Sequence, residues 1–310
     1  MNARILSGTA DNIAAAVTVL NEGGLVAMPT ETVYGLAANA SDGVAVASIY
    51  AAKGRPQFNP LIAHVSSMEM ALKEGHFSIH ARALAEAFWP GPLTLVLDVA
   101  ETGAVSELAR AGLDSIALRM PRHPIARHLI EAFGGPLVAP SANPSGKISP
   151  TLSQHVASDM GDKVDLILDG GACMAGVEST IIDARGERPA LLRPGSLDPA
   201  EIEEVWPGLI RPALNPDAPQ SPGQLLRHYA PKAKLRLNVK VPDTGEAYLG
   251  FGPMEATLNL STTSDLNEAA ANLFAMLRDL DARFDRIAVA PVPTKGLGEA
   301  INDRLTRAAK

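Results

Sequence analysis

Five short polar segments of this sequence have the residue types to do chemistry. The first is Pro29-Thr30-Glu31-Thr32-Val33-Tyr34-Gly35-Leu36, where hydroxyls, a carboxylate and a glycine directly follow an apolar run. A turn that caps a following helix uses the same residues, so this segment alone decides nothing. The second is Lys53-Gly54-Arg55-Pro56-Gln57-Phe58-Asn59-Pro60-Leu61, followed by His64 on the next strand. Two cations flank a glycine and two prolines stiffen the loop, a frame that suits an oligophosphate. The third, Ser115-Ile116-Ala117-Leu118-Arg119-Met120-Pro121, ends a strand on an Arg that either snorkels or faces a carboxylate. The fourth, Ala139-Pro140-Ser141-Ala142-Asn143-Pro144-Ser145-Gly146-Lys147-Ile148-Ser149, offers many small donors and little bulk. A plain Ser/Pro/Gly linker is the competing reading, but this loop sits between a buried strand and a helix. The fifth runs from Asp169-Gly170-Gly171 to Gly176-Val177-Glu178-Ser179-Thr180, with Arg193-Pro194-Gly195 one strand later. Lys, Arg, Ser, Thr and Gly converging from strand ends can bind a nucleotide without a Walker loop.

Other chemistries lack their residues. Gly146-Lys147 is followed by Ile148 and has no upstream glycine at Walker spacing. There is no G-x-G-x-x-G after a strand, no G-x-S-x-G and no H-E-x-x-H. His76 and His80 could share a helix face, but without a third ligand an exposed pair near a helix start is expected. Cys173, in a Gly-rich loop, has no neighbouring His in sequence to activate it. An enzyme built on this chain would supply no covalent nucleophile of its own, and no protein-held metal site is expected.

The elements that must position these segments alternate. Residues 11–22, 44–53 and 78–88 have helical patterns, while Leu25–Met28, Leu93–Val99, Ser115–Arg119 and Pro136–Ala139 have the apolar runs of buried strands. Pro150 after Ser149 predicts a helix running to Met160. Strands are expected at 164–168, 179–183 and 190–192. Six prolines between Trp206 and Pro231 break the pattern, which reads as an extended linker. Beyond it, strands at 235–239, 248–250, 257–260 and 286–290, with helices at 265–283 and 297–309, make a second, small α/β unit. The division expected is 1–205 for the first domain, 206–234 for the linker and 235–310 for the second domain.

Composition agrees with a two-domain α/β protein of 310 residues, 46% hydrophobic and 20% charged. Aromatics are only 4%, so the core must be built from Ala, Val, Leu and Ile. One cysteine excludes a disulfide framework and any Cys-rich metal cluster. With 27 Lys and Arg against 34 Asp and Glu, the net charge of −7 argues against a general nucleic-acid or anionic-membrane binder. The sequence shows no apolar stretch of bilayer length, and no secretory leader is expected. A soluble, cytoplasmic protein is expected, with no membrane partner.

Taken in order, PTETVYGL, KGRP…NPL, SIALRMP, PSANPSG and GVESTIID resemble the L-threonylcarbamoyladenylate synthase family, whose catalytic part is the YrdC-like domain. The likeness covers about residues 5–205. Ser221-Pro222-Gly223, His228-Tyr229-Ala230-Pro231-Lys232 and the terminal Gly296-Leu297-Gly298-Glu299-Ala300-Ile301 are similar to the longer, two-domain form. The resemblance implies an α/β fold: a YrdC-like twisted mixed sheet flanked by helices, plus a small C-terminal Rossmann-like domain. It implies that L-threonine, bicarbonate or CO2, and ATP give L-threonylcarbamoyl-AMP and pyrophosphate. Downstream transferase proteins then pass the threonylcarbamoyl group to adenosine 37 of tRNA. A direct contact with tRNA is left open. The threonine amine captures CO2 and the carbamate attacks the α-phosphate, so the substrate brings its own nucleophile.

The same resemblance implies the site residues. Threonine lies near Thr32, His64, Arg119 and Ser179, with the backbone of Ala139 close by; Arg119 is the expected bidentate partner of its carboxylate. ATP lies near Arg55, Asn59, Ser115, Ser141, Ser149 and Arg193, with Tyr229 reaching in from the linker as part of a lid. Lys53, Arg55, Ser141 and Asn143 match the family's K-x-R and S-x-N signature and are expected on the phosphates. Mg2+ is expected to be held mainly by those phosphates. A carbamoyltransferase for metal-cluster maturation shares the YrdC-like module, but it needs zinc-finger cysteines and an acylphosphatase-like region. A non-catalytic RNA binder would use the basic loops, against the net charge and the few aromatics.

Overall fold

The helical and apolar runs fold into two sheets with helices on their faces. The computed structural model describes residues 3–56, 59–212 and 228–310. Gln57, Phe58 and residues 213–227, which include three prolines of the expected linker, lie outside the described residues.

The first sheet has eleven strands. Across it run Arg4–Ser7, Leu166–Asp169, Val26–Met28, Gly35–Asn39, Leu137–Val138, Ile62–His64, Ser115–Arg119, Leu93–Val99, Thr180–Asp183 and Ala190–Arg193, with Gly75–His76 beside Leu93–Val99. Parallel pairs (Ile62–His64 with Ser115–Arg119) alternate with antiparallel ones (Leu93–Val99 with Ser115–Arg119), so the sheet is mixed. Its central strands are buried on both faces over most of their length, which explains the apolar runs Leu95-Val96-Leu97 and Ile116-Ala117-Leu118.

Helices cover it, each stopped by local chemistry. Gly43–Lys53 starts where the Asp42 carboxylate accepts from Val44 N and ends on Gly54 at φ 59°. Pro124–Phe133, with Pro in its first turn and Gly134 in the left-handed region, was not legible as a helix in the sequence reading. The segment after Thr32, which the sequence left undecided, leads into the strand Gly35–Asn39, and Thr30 Oγ1 accepts from the N–H groups of Thr32 and Val33 to make the turn. One expectation is corrected. The helix expected from Pro150 begins only at Ser153, because the Pro150 carbonyl accepts from Tyr34 N and the chain there serves the neighbouring loop.

The second sheet is parallel, ordered Lys234–Arg236, Arg286–Val289, Ala247–Gly250, Leu258–Asn259, and carries the helices Leu266–Arg283 and Leu297–Ala308. Leu273, Phe274, Leu277 and Ile301 fill its core, and Val33, Ile148 and Val177 of the first unit belong to the same apolar cluster. Arg278 pairs with Asp159 at 2.6 Å, and Gly176 (φ 69°) lies so close that a Cβ there would come 2.3 Å from the Ala270 carbonyl. The second unit thus packs on the first, fourth and fifth polar segments. No helix among the described residues is long and apolar enough to cross a membrane.

Candidate active site

The polar segments meet because the strands that end in them are neighbours. His64 and Arg119 are paired positions on adjacent parallel strands. The loop after Leu137–Val138 runs back along the first segment: Leu36 N donates to Pro140 O, Ala142 N to Tyr34 O, and Gly35 bridges Ser141. The second segment joins the fourth where Ser145 N donates to Lys53 O.

These contacts enclose a cavity of about 50 Å³, lined by Thr32, Arg55, His64, Arg119, Ala139, Ser141, Ser179, Arg193 and Tyr229 among others. All nine were singled out from the sequence. A volume of that size holds a water or two. The wall at one end is His228 and Tyr229. Tyr229 stacks on Phe274 of the second unit at 5.3 Å, and Ala230 N donates to Gly146 O.

The other five expected site residues stand behind the lining. Lys53 Nζ donates to the carbonyl oxygens of Ser141 and Asn143, 2.5 Å from each. It therefore shapes the loop of Ser141 instead of facing the cavity. Asn143 donates from Nδ2 to Pro144 O and Lys147 O, while its buried Oδ1 has no partner among the described residues. Asn59 accepts from Arg55 Nε on its carbonyl, and its own Oδ1 is likewise buried and unpartnered. Ser149 Oγ donates to Glu178 at 2.6 Å. Ser115 lies four residues before Arg119, on the same face of the strand.

Charge dominates the lining. Burial lowers the guanidinium groups of Arg55 and Arg193 to about 10 each, which still leaves both ionised at neutral pH. Arg119 is not an unoccupied fork: Nε donates to Gly91 O, Nη1 to Thr32 Oγ1 and Nη2 to Glu31 at 2.6 Å, three of its five donors. Burial and the nearby Arg119 push His64 down to about 3, and burial alone does most of the same for His228. Both rings are neutral at pH 7. Burial would raise the Glu178 carboxyl, but Arg304 and Arg193 outweigh it and hold it at about 2.

Glu31, Glu178 and Ile62 also belong to the cavity or its supports, although the sequence reading gave them no role. The signals were Glu178 directly before Ser179, and Glu31 as a carboxylate for Arg119 to face. One expectation about titratable residues changes. His76 is exposed beside Glu101, whereas His80 is buried with Nε2 against Ala184 O, so they are not an exposed pair. The Cys173 thiol is buried and pushed up to about 12, so it stays protonated. Among the described residues no group of three His, Cys, Asp or Glu could hold a metal ion.

Three buried guanidiniums face hydroxyls and neutral imidazoles, a lining whose charge suits anionic small molecules. Comparison with known proteins carries this further. A family profile described as "Telomere recombination" matches residues 18–195, and one described as "Threonylcarbamoyl-AMP synthase, C-terminal domain" matches residues 197–310. The threonylcarbamoyl-AMP synthase of Pyrococcus abyssi is 43% identical, over 95% of this chain and 93% of its own. That of Bacillus subtilis is 39% identical, over 98% and 94%. The crystal structure of P. abyssi Sua5 complexed with L-threonine superposes with a TM-score of 0.91 at 40% identity, covering 99% of this chain and 97% of its own. The chain belongs to the threonylcarbamoyl-AMP synthase family, and its fold is the YrdC-like mixed sheet with a second α/β unit. It is an enzyme of the ATP-using, adenylate-forming transferase class.

Proposed function

We propose that this cavity is where L-threonine, bicarbonate or CO2, and ATP become L-threonylcarbamoyl-AMP and pyrophosphate, the first stage of N6-threonylcarbamoyladenosine formation in tRNA. The observation that carries the assignment is the convergence of Arg55, Arg119 and Arg193 on one cavity with Thr32, His64, Ser141 and Ser179. In the reaction the threonine amine adds to CO2 and loses a proton, giving a carbamate. A carbamate oxygen then bonds to the α-phosphorus as the bond to the pyrophosphate oxygen breaks. The protein needs only to position the three reactants and stabilise charge.

Threonine takes the end formed by Thr32, His64, Arg119, Ala139 and Ser179. Its carboxylate meets the two Arg119 N–H groups left over by Gly91, Thr32 and Glu31, and neutral His64 adds no competing charge. ATP takes the end formed by Arg55, Ser141, Arg193 and Tyr229, with Asn59, Ser115 and Ser149 completing it once the wall opens. The unpartnered Asn59 Oδ1 and Asn143 Oδ1 support a polar guest beside them. Arg55 and Ser141 stabilise the transferring phosphate, while Lys53 and Asn143 hold the loop of Ser141 in place. His228 and Tyr229 form the movable wall that keeps water from the reactive mixed anhydride. Glu31 and Glu178 are closed by Arg119 and Arg304, so neither fits as a Mg2+ ligand, and the ion would be held by the nucleotide's own phosphates.

Residues 1–205 act as the catalytic domain, 206–234 as a linker and 235–310 as a small second domain. The product passes in the cytoplasm to transferase proteins that act on tRNA. Incubation with 13C-bicarbonate tests the reading. Mass spectrometry should detect one labelled carbon in a mixed anhydride of threonine carbamate and AMP, and no labelled anhydride from the complete mixture would refute it.

A further inference from the structure

Arg304 sits on the helix Leu297–Ala308 of the second unit and is fully buried, yet it reaches the wall of the catalytic cavity. Its Nε donates to Glu178 Oε2 at 2.8 Å, and its Nη1 donates to Pro194 O and Asp303. The guanidinium lies 5.4 Å from the centre of the Tyr229 ring. Glu178 itself lines the cavity, with its other oxygen on Ser149 Oγ. One helix of the second unit therefore reaches two strand ends, before Ser179 and after Arg193, and the ring that walls the cavity.

The puzzle is Glu178. A carboxylate in the wall of a polyphosphate site repels its ligand unless a cation cancels it, and inside a poorly solvated cavity that repulsion is large. Ser149 supplies a hydrogen bond but no charge. Arg193 adds positive charge near the carboxylate, but its Nε and Nη2 are on the Ser179 carbonyl. Arg304 is the cation in direct contact with the carboxylate.

We propose that Arg304 is a positioning residue for the nucleotide: it neutralises Glu178 from behind, so that this wall accepts a triphosphate. The second unit is then a working part of the nucleotide half of the site and is indifferent to the threonine half. The proposal rests on the reading above that ATP binds in this cavity.

The test compares Arg304→Met, which keeps the length and removes the charge, with Glu178→Gln and the double variant. KM is measured for ATP and for threonine by pyrophosphate release. Arg304→Met should raise the ATP KM about tenfold or more, as expected for an uncompensated like charge, and change the threonine KM less than about twofold. Adding Glu178→Gln should bring the ATP KM back to within about threefold of the parent, a recovery that a merely structural contact would not show. Equal losses for both substrates, or no recovery in the double variant, would overturn the proposal. Should Arg304→Met fail to fold, Glu178→Gln alone decides: an unchanged or lower ATP KM supports the proposal, and a raised one overturns it. A parent enzyme that releases no pyrophosphate with ATP and threonine would instead refute the underlying assignment.

Discussion

Lys53 Nζ donates to the Ser141 carbonyl across 2.5 Å, tying the end of the helix Gly43–Lys53 to the loop that carries a cavity hydroxyl. A lysine in a K-x-R segment would ordinarily be expected to meet phosphate itself. Here burial and the neighbouring Arg55 lower its proton affinity well below that of a solvated lysine, and two carbonyl groups take its donors.

Lys53→Ala should therefore lower kcat by about 10²–10³, the scale of losing a preorganised charge stabiliser, because Ser141 and Asn143 lose their shared anchor. Arg55→Ala should cost a similar factor by direct loss of a cavity cation. Steady-state rates at saturating substrate check both. A loss below about tenfold for both variants would mean the phosphates lie elsewhere.

Arg119→Ala should weaken threonine far more than ATP. The change also strands Glu31, whose carboxylate is held low by Arg119 against a burial effect that would raise it. Glu31→Gln, which spares the guanidinium, should weaken threonine less. Calorimetric titration with each substrate separates these outcomes, and equal weakening of threonine and ATP by Arg119→Ala would remove Arg119 from the carboxylate role.

Acid should destabilise the fold earlier than its carboxylates alone predict. His64 and His228 sit at about 3 when folded, against an ordinary 6.5. The unfolded chain then binds more protons, so stability falls as pH drops from about 6.5 towards 3. At pH 5 each histidine opposes folding by about 2 kcal/mol. Glu178, held at about 2, adds a loss below about 4.5. Urea midpoints from pH 7.5 to 5 should fall, and His228→Gln should flatten that slope. An unaltered slope in the variant would show that His228 titrates normally.

The packing of the second unit makes a prediction of its own. Gly176→Ala forces a Cβ into the Ala270 backbone at a φ of 69° and should lower stability by about 2 kcal/mol or more. Gly43→Ala, in the first turn of a helix with nothing within 4 Å, serves as the control and should be neutral or slightly stabilising. Thermal melting compares them; equal transitions would show that the two units do not pack tightly at Gly176.

Much of this was legible in the sequence where one principle governed alone. Ser115–Arg119 and Leu93–Val99 are built around the apolar runs Ile116-Ala117-Leu118 and Leu95-Val96-Leu97, and both fold as strands with the expected bounds. Most of the nine expected residues share the cavity because strand ends deliver them and the sheet brings those ends together, while Arg55 comes from a helix end and Tyr229 from the linker. Sequence failed where a distant partner decided. The Pro150 carbonyl is recruited by Tyr34, which delays the helix to Ser153. Lys53 turns to backbone carbonyls about ninety residues away, a choice that no local pattern records. Arg304 on an amphipathic helix looks like any solvated cation until Glu178, 126 positions earlier, is placed against it.

The central claim is that this one cavity joins three substrates, and the most direct measurement is pyrophosphate release with each of them withheld in turn. Release should need ATP, threonine and bicarbonate together, and fall to background when any one is missing. Release from ATP without threonine, or salt-sensitive RNA binding with no turnover, would contradict it.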